Sequence, residues 1–97
     1  NGDGVAQDDK EAVKWYRLAA DQGYASAWFN LGLMYDRGDG VPQAYVQAYA
    51  WYNLASANGD AKANQAKDDV AKKMTPEQIA RAQELSTELD KKINATK

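Results

Sequence analysis

Shifted by 36 residues, the chain pairs residues 2–27 with 38–63 and finds 13 identities in 26 aligned positions. The pairs include Gly2/Gly38, Asp3/Asp39, Gly4/Gly40, Val5/Val41, Trp15/Trp51, Tyr16/Tyr52, Leu18/Leu54, Gly23/Gly59 and Ala27/Ala63. Over the next ten positions, 28–37 against 64–73, no residue matches. A period of this length belongs to stacked-repeat architectures, and its abrupt loss marks an atypical terminal unit. A single repeat cannot bury its apolar face alone, so neighbouring units must stack.

Within each unit the pattern is helical. Ala12, Tyr16, Ala19 and Ala20 make one stripe, with Trp15 and Leu18 beside it. Asp8 or Asp9 is placed to cap this first helix, which runs to about Gln22 before Gly23 ends it. A second helix is expected from about Ala25 to Arg37, its stripe being Ala27, Leu31, Met34 and Tyr35. Gly38 to Pro42 reads as a turn, and Gly2 and Gly4 are expected to punctuate the first copy in the same way. The third helix, about 43–58, repeats the first with Ala48, Tyr52, Ala55 and Ser56.

The fourth helix carries Ala63, Ala66, Val70 and Met74 among many charges. Thr75-Pro76-Glu77-Gln78 is a helix start: a capping hydroxyl, a proline at the first helical position, and a glutamine able to reach back. The helix that follows has an apolar face of Ile79, Ala82, Leu85, Leu89 and Ile93 and a polar face of Arg81, Glu84, Glu88 and Lys92. A polar-backed last helix is what a repeat stack needs to close its apolar end. The expectation is an all-α solenoid of about five helices in antiparallel pairs with a C-terminal capping helix.

These residues carry a family resemblance. Ala25-Ser26-Ala27-Trp28-Phe29-Asn30-Leu31-Gly32-Leu33-Met34-Tyr35, then Gly38-Asp39-Gly40-Val41-Pro42-Gln43, resembles the Sel1-like repeat (SLR), a relative of the tetratricopeptide repeat. Ala50 to Ala55 and Asn58 to Ala61 continue the pattern. Ala71 to Ala80 resembles the C-terminal segment of bacterial members, and the expectation this resemblance implies is a C-terminal piece of a longer protein. The resemblance implies a right-handed α-solenoid that scaffolds protein complexes. It divides residues 1–97 into the second half of one repeat (1–24), one full repeat (25–60) and a terminal half-repeat with its cap (61–97). Lys67 and Asp68 replace the Leu-Gly pair seen at Leu31-Gly32, so the fourth helix is expected to pack on the capping helix.

Composition narrows the function. The chain has no cysteine and no histidine, which excludes disulfides, thiol chemistry and imidazole-dependent triads. Catalysis would fall to carboxylates, lysines or tyrosines, and no pair of these stands apart from the solvated faces, so no enzyme is expected. No cofactor or metal site is expected either: the glycines lack phosphate-loop spacing, and Asp36 and Asp39 do not make a calcium loop. Charged residues are interspersed to a net charge of −2, which disfavours nucleic acid as a partner. No run approaches the roughly 18 apolar residues of a membrane span.

A protein or peptide partner remains. The expected site is the groove-lining face of the second helix, where Phe29 and Leu33 are i, i+4 neighbours flanked by Ser26, Asp36 and Arg37. The equivalent face of the fourth helix offers Lys62, Gln65 and Asp69. Phe29→Asp or Leu33→Asp should abolish binding with helicity intact, unless both side chains simply pack against the neighbouring repeat. The alternative function is structural, a cap or self-association segment. The first helix, lacking a partner before it, would then expose Val13, Tyr16 and Ala20 and form a homodimer. Three further features have simpler readings. The aromatics Trp15, Tyr16, Tyr35, Trp51 and Tyr52 are assigned to packing, and Gly32 to a close contact with Ala19 or Ala20. Asn94-Ala95-Thr96 matches a glycosylation sequon.

Overall fold

The computed structural model describes residues 2–95, with side chains from Asp9 onward. Five helices follow in order: α1 (Gly2–Asp21), α2 (Ala25–Arg37), α3 (Tyr45–Ala57), α4 (Ala61–Ala71) and α5 (Pro76–Ala95). The fold is an all-α solenoid of antiparallel helices, as the repeat period requires. Lys97 and Thr96, the third residue of the sequon, lie outside the described residues, while its asparagine, Asn94, is exposed near the end of α5.

α2 occupies the span its periodicity predicts. α1 does not: it begins at Gly2, so Gly2 and Gly4 are helical and Asp9 lies well inside the helix instead of capping it. The second copy shows why the two differ. There the chain turns through Gly38 and Gly40, at φ 75° and 76°, and Pro42 follows. The position equivalent to Pro42 is Ala6, which keeps its N–H and can continue a helix. The Gly38–Pro42 turn lies against α1, and a Cβ on Gly40 would meet the backbone of Asp9.

α1 and α3 end alike. Tyr24 N–H reaches Ala19 O at 3.1 Å, and Asp60 N–H reaches Ala55 O at 3.1 Å, around Gly23 and Gly59, both at φ 94°. Such a left-handed closing residue is accessible to glycine without a Cβ penalty. At the start of α5 the predicted reciprocal cap forms. Thr75 N–H donates to Gln78 Oε1 at 2.8 Å, and Gln78 N–H donates to Thr75 Oγ1 at 3.1 Å.

α3 is the centre of the molecule, and α2, α4 and α5 all pack along it. Its residues Ala48, Tyr49, Ala50, Trp51, Tyr52, Leu54 and Ala55 are buried. One side of the core joins Trp51 and Leu54 to Ala20, Trp28, Leu31, Leu89 and Ile93. The other joins Tyr49 and Tyr52 to Val70 and Ala82. The expected pairing of α4 with the cap is therefore reduced to the neighbourhood of Val70, Met74, Ile79 and Ala82, while α5 spends its length on α3. Lys67 explains part of this: instead of an apolar contact it places its ammonium 3.4 Å from Asn53 Oδ1 on α3.

The repeated aromatics pack as expected, except Trp15, which is 63% exposed. Gly32 makes a close contact, but with a different partner. A Cβ there would overlap Cδ1 and Cε1 of Tyr52, so the missing side chain admits α3 and not Ala19 or Ala20.

Candidate functional site

On α2, Phe29 and Leu33 are both half-buried, one helical turn apart. The inner part of each belongs to the core. The Phe29 ring lies 5.8 Å from that of Tyr52, tilted by 40°, and Leu33 packs beside the Tyr49–Tyr52–Val70 group. Each thus presents one edge outward while the other holds α2 against α3. A charge at Phe29 would consequently disturb packing as well as any contact made by the outer edge.

The flanking residues differ in freedom. Ser26 and Arg37 are exposed at the two ends of α2. Asp36 is half-buried and accepts a hydrogen bond from the Tyr52 hydroxyl at 3.0 Å, while its carbonyl accepts from Gln43 Nε2 at 2.8 Å. Asp36 therefore has a structural task. It clamps the end of α2 to α3. Burial, and then the facing Asp36 carboxylate, push the Tyr52 hydroxyl pKa well above its ordinary value near 10.0.

On α4, Lys62, Gln65 and Asp69 are all exposed, and Gln65 Nε2 donates to Asp69 Oδ1 at 3.1 Å. α4 starts at Asp60, whose carboxylate accepts from the N–H groups of Lys62 and Ala63. α2 and α4 each pack on α3 and make little contact with one another. The eight predicted residues accordingly form two rows, Ser26, Phe29, Leu33, Asp36 and Arg37 on α2 and Lys62, Gln65 and Asp69 on α4.

A polar cluster escaped the sequence reading. Ser86 is buried within the apolar face of α5, and its Oγ accepts from Asn53 Nδ2 at 2.9 Å. With Lys67 on Asn53 Oδ1, this chain of contacts ties α4, α3 and α5 together. Its signal was available: Asn53 stands where the first copy has Arg17, and Ser86 falls between Ala82 and Leu89 on the buried stripe. Beside it an open cleft of about 400 Å³ lies between α3 and α5, lined in part by Trp28, Leu54, Asn58, Asp90 and Asn94. None of the eight predicted residues lines it.

Among the described residues no group of three or more His, Cys, Asp or Glu side chains could hold a metal ion. Among them, too, no helix is long and apolar enough to cross a membrane.

The family model of the Sel1 repeat matches residues 1–24 and 25–60, more than half of the sequence. The chain belongs to the Sel1 repeat family. Its fold is also that of a solved structure, a protective antigen present in uropathogenic Escherichia coli strains that displays an SLR fold. The two share 36% sequence identity at a TM-score of 0.83 over 88% of this chain. The matched region is 18% of that antigen, so this Sel1 repeat chain corresponds to a small part of the larger protein. No curated protein matches the chain. Sel1 repeats are in general protein–protein interaction modules, and this chain carries that architecture.

Proposed function

We propose that this Sel1 repeat chain is a non-catalytic scaffold that binds a partner peptide or helix along the outward edges of α2 and α4. Phe29 and Leu33 supply the apolar anchor, while Ser26, Asp36, Arg37, Lys62, Gln65 and Asp69 supply a polar rim that sets register. The observation that carries this reading is the pair of half-buried apolar side chains on one face of α2, within a repeat fold used for protein contacts. Apolar centres with polar surrounds are the usual anatomy of helix-in-groove recognition.

The test uses exposed positions, so that folding and binding separate. The wild-type chain and a Ser26→Arg, Arg37→Glu, Lys62→Glu variant are compared as baits in affinity capture, with melting temperatures measured in parallel. A protein held by the wild type and lost by an equally stable variant supports the reading. Equal capture by both counts against it.

A second reading is self-association or docking of a further helix on α1. It is supported by Trp15 and Leu18, one turn apart and 63% and 49% exposed. The residues are not those expected: Ala20 is fully buried, and Val13 and Tyr16 pack against the core. Homodimerisation through this edge predicts a concentration-dependent mass in sedimentation that Trp15→Gln, Leu18→Gln abolishes.

A further inference from the structure

α1 and α3 close on the same turn with one residue changed: Gln22-Gly23 ends the first and Asn58-Gly59 the second. Both glycines stand at φ 94°, and each N–H donates three residues back, Gly23 to Ala20 O at 3.0 Å and Gly59 to Ser56 O at 2.9 Å. The side chain before the glycine differs by one methylene. That methylene decides a reaction. The side-chain carbonyl carbon of an asparagine can close a five-membered ring with the next residue's amide nitrogen. A glutamine must close a six-membered ring, which is far slower. Attack within one molecule is fast only where the reacting groups are already held near each other.

The surroundings of Asn58 suit this ring closure. Asn58 and Gly59 are both exposed. Glycine brings no Cβ beside the attacking nitrogen, and the space a Cβ would take on Gly59 has no neighbouring atom within 4 Å. Asn30, Asn53, Asn64 and Asn94 differ: each lies inside a helix, has its side-chain amide hydrogen-bonded and precedes a residue with a side chain. What holds Asn58 back is the turn itself. Its ψ is 8°, and the Gly59 N–H is engaged by Ser56 O. Attack needs that bond broken and ψ rotated to bring the nitrogen toward the side chain. The frayed end of a helix opens at lower cost than its interior.

We propose that Asn58-Gly59 is a self-deamidation site whose rate is set by opening of the last turn of α3. The Gly59 nitrogen attacks the Asn58 side-chain carbonyl carbon and gives up its proton. The bond from that carbon to the side-chain nitrogen breaks, ammonia leaves, and a succinimide remains. Water then opens the ring at either carbonyl, giving aspartate, or isoaspartate where the main chain now runs through the side-chain carbons. The isoaspartyl form lengthens the main chain just before Asp60, whose N–H closes the turn on Ala55 O at 3.1 Å and whose carboxylate caps α4. Conversion thus loosens the connection between α3 and α4. The inference stands apart from the partner reading.

The test ages the intact chain in mildly alkaline buffer and follows its peptides by mass spectrometry, with Asn1-Gly2 resolved in a separate peptide. The expected result is conversion of Asn58 to aspartyl and isoaspartyl products while Gln22 stays intact. Unfolding in urea should speed the conversion about tenfold, as for release of one weakly held turn. Asn58→Gln, the residue the first copy carries in this turn, should lose the reaction and keep its melting temperature. The isoaspartyl form should melt below the Asn58→Asp variant, which adds the same charge on an unaltered main chain. No conversion at Asn58, conversion at Gln22 or Asn30 just as fast, or equal rates in the folded and unfolded chain overturns the proposal. Equal melting of the isoaspartyl form and Asn58→Asp overturns the loosening of the α3–α4 connection.

Discussion

Trp15 and Trp51 occupy the same position of successive 36-residue units, yet Trp15 is 63% exposed and Trp51 is 1% exposed. Packing makes the difference. Trp51 lies in the core with Ala20, Leu89 and Ile93, and the Arg17 guanidinium sits 5.4 Å from its ring centroid. Trp51→Ala should therefore cost about 3–5 kcal/mol, the range for removing a buried large aromatic. Trp15→Ala should stay within about 0.5 kcal/mol. Urea unfolding of both variants checks the contrast, and equal losses would contradict it.

Gly32 on α2 leaves the space that the Tyr52 ring of α3 occupies. Alanine at 32 would gain about 1 kcal/mol of helix propensity. Its methyl, however, meets a fully buried ring that has no room to swing aside. Overpacking typically costs about 1–3 kcal/mol, so Gly32→Ala should be net destabilising. A melting temperature above that of the wild type would refute this account of the α2–α3 contact.

Alkali should weaken the fold through Tyr52. Its folded pKa is raised, first by burial and then by Asp36, above the ordinary value near 10.0 that holds in the unfolded chain. Above that pH the unfolded state has lost the proton and the folded state retains it. The unfolded state thus binds fewer protons, and stability falls as pH rises. Below it the contribution is complete. Tyr52→Phe should flatten the decline in stability above pH 10 relative to the wild type; identical slopes would exclude Tyr52 as the source.

The reciprocal cap at Thr75 and Gln78 should matter because α5 closes the stack. Thr75→Ala is expected to cost about 1 kcal/mol. Thr75→Ser, which keeps the hydroxyl, should cost less. Thermal unfolding of the two variants gives the comparison, and no difference between them would mean the hydroxyl is not the source.

Local signals in the sequence located most of the helices. The 36-residue period, the glycines after α1 and α3, and Thr75-Pro76 each act through neighbouring backbone atoms, so their meaning survives without a structure. Contacts between helices were less legible. Gly32 announced a close approach, but whether Ala20 or Tyr52 filled it depends on how α3 crosses α2. Trp15 looked like Trp51 because repetition encodes a position in the unit and not whether a neighbour covers it. The extension of α1 to Gly2 hinged on Ala6 replacing one proline. Ser86 was hidden because its partner Asn53 lies 33 residues away on another helix. Of the α2 and α4 rows, the sequence supplied the residues; the double role of Phe29, half anchor and half core, required its ring contact with Tyr52.

The central claim, that α2 and α4 form the partner surface, is tested most directly by hydrogen–deuterium exchange. The chain is measured alone and with a protein it captures. The account predicts added protection over residues 25–37 and 61–71, with α1 unchanged. Protection on α1 around Trp15 and Leu18, with none on α2 or α4, would contradict it and make the α1 edge the working surface.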